Sequence, residues 1–325
     1  MAINWYPGHM RKTQREIKEN LKLVDAVIEI RDARVPKSSA NPDIETLLEG
    51  KPRIILLNKS DLTDSKVTKE WIKHLTKEDV KVLEVNCTRG DGLKNIKPML
   101  LTLLKEKHDR LKSKGMVNIT IRAMVVGIPN VGKSTFINKM AGNSIAKTGD
   151  KPGITKSKQW IKTGIGIELL DTPGVLWPKF EDNRTALNLA FTGAIKDEIM
   201  DIEDLALKLV ERLYKNYEAK LRERYKLTEE FENSTDILEA IGRKRGTLIS
   251  GGKIDYNRIA VILLDEFRGG KMGKISLEHP REENDDEVDN NQEANNKMDN
   301  SQVVNSEEIN NQVDNNEEGN NEENS

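Results

Sequence analysis

Cysteine is nearly absent from this 325-residue chain, where Cys87 is the only one. A lone thiol excludes a disulfide framework and any zinc site built on cysteines, and it suits a reducing compartment. Long apolar runs are missing too. No stretch approaches the ~20 apolar residues of a membrane-spanning helix, and Met1 to Arg11 lacks the apolar core of a secretion signal. A soluble cytoplasmic protein with no membrane partner is expected. Net charge is also small, at −2, but that figure conceals opposite parts. Residues 281–325 hold 15 Asp and Glu against Arg281 and Lys297 alone, which leaves residues 1–280 with a net charge of +11. That sign suits a binder of phosphate backbones. The acidic segment has no Phe, Trp or Tyr and only five β-branched residues among its 45, so it cannot bury enough surface to fold. Within it, Val288-Asp289-Asn290-Asn291 returns as Val313-Asp314-Asn315-Asn316, a degenerate repeat. It reads as a disordered solubilising tail, with an acidic mimic competing against RNA as the alternative.

What the chain does contain is a phosphate-binding loop. Gly127-Ile128-Pro129-Asn130-Val131-Gly132-Lys133-Ser134-Thr135 spells G-x-x-x-x-G-K-[ST]. An apolar run from Ile119 to Val126 precedes it and a helical pattern from Phe136 to Met140 follows, the strand–loop–helix context the motif requires. Glycines let the backbone curl so that successive N–H groups face a phosphate, and the helix N-terminus adds partial positive charge. Lys133 bridges β- and γ-phosphates in such a site, and the Ser134 hydroxyl ligates Mg²⁺.

Asn58-Lys59-Ser60-Asp61 follows the apolar run Ile54 to Leu57 and so lies at the carboxyl end of a strand, where α/β sheets bind ligands. The Asp61 carboxylate can accept from guanine N1–H and the exocyclic amine, a donor pair adenine lacks. Asn58 can hold the N7 side, and the Lys59 stem can lie along the base. Asn86-Cys87-Thr88, after the strand expected over Val80 to Val85, fits the loop behind the base. Asp171-Thr172-Pro173-Gly174 follows another apolar run, Ile167 to Leu170, and offers Asp171 to Mg²⁺ and the Gly174 N–H to the γ-phosphate. Thr155 in Pro152-Gly153-Ile154-Thr155 is a second hydroxyl ligand for Mg²⁺. Base-reading motifs thus precede the phosphate loop, the reverse of the ordinary GTPase order. The expected fold is α/β: a circularly permuted P-loop GTPase domain with a mainly parallel sheet, then a small all-α domain and the acidic tail. The expected divisions are an arm over 1–15, the GTPase domain over 16–179, helices over 180–280 and the tail over 281–325. The order also suggests coupling, because the segment after Gly174 runs straight into the helical part.

Helical patterns there are plain. Leu205, Leu209, Leu213 and Tyr217 recur at i, i+4 spacing, and Asp236 to Ile241 and Tyr256 to Phe267 supply two more. Ser234 or Thr235 is expected to cap the second, and Gly242 to end it. Trp177 is a candidate anchor between the Asp171 loop and these helices. Basic residues gather in the arm (Arg11, Lys12, Arg15), in the connector Lys105 to Lys114, and at Arg243-Lys244-Arg245, Arg268, Lys271 and Lys274. The last set is the foremost RNA candidate.

With Trp5-Tyr6-Pro7-Gly8-His9-Met10 and Asp32-Ala33-Arg34-Val35-Pro36 added to these motifs, residues 1 to 280 resemble the ribosome biogenesis GTPase A family, bacterial circularly permuted GTPases. The resemblance implies a factor that binds the precursor of the large (50S) ribosomal subunit, rRNA and ribosomal proteins together, in its GTP state. Stimulated by the particle, such a factor hydrolyses GTP to GDP and leaves. It implies Mg²⁺ as cofactor, with Asn130 a candidate K⁺ ligand, and a monomer that takes no DNA. It assigns His9 to align the attacking water, because Val175 stands where ordinary GTPases place a glutamine and cannot hydrogen-bond a nucleophile. Lys133 completes the catalytic pair. Permuted relatives with an OB-fold or zinc finger are a poorer match, since this chain shows neither. Two other readings share the motifs. One is a role in small-subunit maturation, and the other is a GTP-switched RNA binder with little useful hydrolysis.

Overall fold

The computed structural model describes residues 15–48, 50–117, 119–142, 160–172, 174, 176 and 182–280. Among them, six strands form one sheet: β1 (Ala26–Asp32), β2 (Arg53–Asn58), β3 (Val80–Glu84), β4 (Ile121–Val126), β5 (Trp160–Lys162) and β6 (Ile167–Asp171). Their order is β3-β2-β1-β4-β6-β5, parallel throughout except for the β5–β6 pair. Parallel neighbours need crossovers, and helices supply them. These are α1 (Pro42–Leu48), α2 (Ser65–Leu75), α3 (Ile96–Leu103) and α4 (Lys105–Ser113), with α5 (Lys133–Ala141) following β4. Every residue of β1 and of β2 is buried, as in a strand covered on both faces. Yet β1 carries Glu29, Arg31 and Asp32, and these charges hide it from an apolar pattern. Burial is tolerated because they are paired: Arg31 Nε donates to Glu29 at 2.6 Å, and Arg53 reaches Glu29 at 3.1 Å.

The chain steps outward from β1 through β2 to β3, then returns past β1 to β4. The strand order therefore reverses between β1 and β4, and the crevice at their carboxyl ends is where such sheets take ligands.

Four further helices follow: α6 (Asn183–Phe191), α7 (Ile202–Tyr225), α8 (Ser234–Arg245) and α9 (Tyr256–Arg268). The expected stripe on α7 is buried at Leu205, Leu209, Val210 and Leu213, but the helix breaks at Tyr217 (φ −141°, ψ 34°). There the phenol donates to Ser276 O at 2.7 Å and accepts from Ser276 N–H at 3.0 Å, which offsets the broken turn. On α8 the cap lies one residue earlier than expected. The Asn233 side chain accepts from Asp236 N–H, and the helix runs past Gly242 to end at Gly246 (φ 67°). Gly242 is a packing glycine instead, since a Cβ would stand 3.1 Å from Ile254 and Thr247. No helix among the described residues is long and apolar enough to cross a membrane.

After α9 the chain turns back over the sheet. Ile275 N–H donates to Leu62 O at 2.8 Å, Leu277 N–H to Arg34 O at 2.9 Å, and Trp71 Nε1–H to Glu278 O at 3.2 Å. The described residues through Glu278 form one compact unit, and this strap belongs to it.

Candidate functional site

The loop after β4 turns into α5 at Gly132, whose φ of 103° suits only glycine, and a Cβ there would lie 2.3 Å from Asn58 Nδ2. Lys133 opens α5 and donates to the carbonyls of Gly127 and Ile128, both at 2.8 Å. Burial pulls its ammonium pKa down to about 8, with the Asp171 carboxylate opposing. Asp171 ends β6 in register with Val125, and the Thr172 hydroxyl donates to Val125 O at 2.6 Å. That bond fixes the residue after β6 against the end of β4, next to the phosphate loop. At Gly174 a Cβ would sit 2.4 Å from Lys133 Nζ and 3.2 Å from Pro129 N, so the glycine permits close approach of the two loops. Ser134 and Thr135 are half-buried in the first turn of α5, where the helix dipole favours anions, while Val131 anchors the loop in the core.

The base-reading loop reaches the same crevice from β2. The Asn58 amide donates to Val131 O at 2.7 Å, and its carbonyl accepts from Cys87 N–H at 2.9 Å. One buried side chain thereby joins the loops after β2, β3 and β4. Lys59, in the left-handed region at φ 61°, donates to Asn130 O at 2.9 Å. Ser60 is held on Val85 O by both its hydroxyl and its N–H. Asp61 stands half-buried in the short turn Ser60–Leu62. Behind the base loop, Asn86 accepts from Arg89 N–H, and burial pushes the Cys87 thiol up to about 12, so it is an inert packing group.

Asn130 is also left-handed at φ 61°, and its amide donates to Gly193 O at 2.7 Å, just beyond α6. Here its side chain shapes the loop and ties it to the helices. His9, Thr155, Val175 and Trp177 lie outside the described residues. For Mg²⁺, the Asp171 carboxylate and Ser134 hydroxyl are hard oxygen donors at two converging loops, a set that fits this ion. No group of three or more His, Cys, Asp or Glu able to hold a metal gathers among the described residues. Mg²⁺ on a phosphate needs none, because phosphates and waters complete its shell.

Two of the basic candidates serve the fold. Arg268 donates to Ala190 O and Phe191 O and pairs with Asp197 at 2.7 Å, and Arg245 pairs with Glu266 at 2.8 Å over the Tyr225 ring. Lys244, Lys271 and Lys274 are exposed. The sequence motifs gave no role to the buried Asp32 and Arg34. The Arg34 fork meets both Asp32 oxygens, at 2.9 and 2.7 Å, and Asp32 also pairs with Lys59 at 2.9 Å.

This arrangement is shared with known proteins. A family profile described as "50S ribosome-binding GTPase" matches residues 122–241. The Ribosome biogenesis GTPase A of Bacillus pumilus (strain SAFR-032) is 51% identical over 280 residues, covering 86% of this chain and 99% of that protein. Its namesake in Thermotoga maritima is 35% identical, covering 86% and 95%. The solved structure of GDP-bound YlqF superposes with a TM-score of 0.60 at 29% identity, over 82% of this chain and all of that one. On the strength of these relatives and the three joined loops, the chain belongs to the ribosome biogenesis GTPase A family of GTP-hydrolysing enzymes.

Proposed function

We propose that this GTPase binds the precursor of the large ribosomal subunit in its GTP state, promotes late maturation, and leaves after hydrolysis stimulated by the particle. The observation that carries the nucleotide half is the Asn58 junction, which joins the base-reading, base-backing and phosphate loops at one crevice. In this reading Asp61 takes the guanine N1–H and amine, the Lys59 stem flanks the base, and Lys133 with the α5 N-terminus takes the phosphates. Ser134, Thr155 and Asp171 hold Mg²⁺, which would neutralise phosphate charge. His9 orients the attacking water, and Asn130 is the candidate K⁺ ligand. The particle half is supported by the charge of +11 over residues 1–280 and by exposed Lys244, Lys271 and Lys274. The protein acts as a cytoplasmic monomer.

The test is co-sedimentation with isolated subunits in the presence of a non-hydrolysable GTP analogue or GDP, paired with GTP turnover. Analogue-dependent pelleting with large subunits, and turnover raised by them, is the expected result. Pelleting with small subunits, or turnover that large subunits leave unchanged, would select the alternatives.

A further inference from the structure

Asp32 receives more positive charge than its pairing with Arg34 requires. Its Oδ2 is shared between Arg34 Nη2 at 2.7 Å and the Lys59 ammonium at 2.9 Å. Burial alone would raise this carboxyl, but Arg34 and Lys59 overturn that and hold it well below the usual carboxylate range. Lys59 bears a matching cost, since burial lowers its pKa against the pull of Asp32. What the ammonium gains is a fixed position between Asp32 and Asn130 O, with the side chain still 26% exposed. Its aliphatic stem then forms a rigid shelf between the base-reading and phosphate loops. On its other side, Arg34 packs on the Phe267 ring at 5.2 Å and donates to the carbonyls of Phe267 and Arg268, both at 3.4 Å. These carbonyls end α9, where a cation is favoured.

We propose that Asp32 is a positioning residue for guanine-nucleotide binding, acting through Lys59, and that Arg34 passes the setting of Lys59 on to the end of α9. The proposal rests on the assignment of Lys59 to the base. A carboxylate held between two cations responds as a unit, so a base lying on the Lys59 stem restrains Asp32, Arg34 and the last turn of α9 together.

The experiment is calorimetric titration of the full chain with GDP in wild type, Asp32→Asn, Lys59→Met and the double variant. Each single change should weaken GDP about tenfold, the scale of one charge-assisted hydrogen bond. The double variant should be no weaker than Lys59→Met alone. A purely structural Asp32 would instead give losses that add in full, and that outcome overturns the proposal. So would GDP affinity within about twofold of wild type in Asp32→Asn. If Lys59→Met leaves GDP affinity unchanged, the base assignment itself falls, which the other outcomes do not imply. Should Asp32→Asn fail to fold, Asp32→Asn with Arg34→Met removes both buried charges at once and should bind GDP as weakly as Lys59→Met; wild-type affinity in that pair would overturn the proposal. The coupling half is read by hydrogen exchange at Gly269 and Gly270, whose N–H groups close the end of α9. GDP should slow exchange there in wild type and not in Asp32→Asn, and equal slowing in both would refute it.

Discussion

Asn58 shows how much one side chain can decide. Its two amide atoms serve two different loops, so removing it leaves the Cys87 N–H and the Val131 carbonyl without their partner in a buried setting. Asn58→Ala should lower stability by about 2–3 kcal/mol, read as a drop in denaturation midpoint, and GDP should no longer protect the protein against unfolding. Gly174 poses the opposite problem, where the smallest added group is too large. A methyl 2.4 Å from Lys133 Nζ would push the ammonium aside, and it would also crowd the backbone at Pro129 N, 3.2 Å away. We expect Gly174→Ala to slow single-turnover GTP hydrolysis about a hundredfold, as misplacement by an ångström does, and to weaken GDP as well, because the displaced Lys133 is the group assigned to the phosphates. Equal rates would mean that this loop does not contact the reacting phosphate.

Residues with a prescribed chemistry were the legible ones at the level of elements. The phosphate loop, the base-reading loop and the loop after β6 announced themselves because phosphate and guanine dictate short local patterns, and the strands before them are apolar. β1 was illegible because Glu29, Arg31 and Asp32 interrupt its pattern, and their burial is tolerable only through the Arg31–Glu29 pair within the strand and through Arg53 and Lys59 outside it. Arg34 was unreadable for a related reason, since its carbonyl partner Phe267 lies 233 positions on. The strap from Ile275 to Glu278 is the same kind of element. Glu278 is buried and accepts from Lys37 N–H at 2.7 Å, from the Ser38 hydroxyl and N–H, and from Asn188 Nδ2 at 2.8 Å. Burial outweighs these donors and raises its pKa above the ordinary carboxylate value. For an acid raised on folding, the stabilising contribution is fully present below the unfolded pKa and lost as pH rises through the folded one. Wild type should therefore gain stability relative to Glu278→Gln as pH falls from neutral towards the ordinary glutamate value. Parallel melting curves for the two proteins across that window would show that Glu278 keeps an unshifted pKa.

At the scale of the whole molecule, charge is the property that neither a motif nor a helix reveals. Residues 1–280 carry +11, and residues 281–325 bring the total to −2. Phosphate binding by a basic surface is driven by counterion release, so its affinity falls steeply with salt. Acidic residues tethered to that surface act over a Debye length of about 10 Å at 0.1 M salt and about 3 Å at 1 M. If the acidic segment screens the basic body, deleting 281–325 should tighten binding to rRNA at low salt and steepen its salt dependence. The two proteins should then converge as salt approaches 1 M, because the screening that separates them has vanished. Fluorescence anisotropy on one rRNA fragment across a salt series measures both slopes directly. Equal affinities and equal slopes would reduce the segment to a solubilising appendage. A constant ratio at every salt concentration would point to a contact that is not electrostatic, and would exclude the screening account just as firmly.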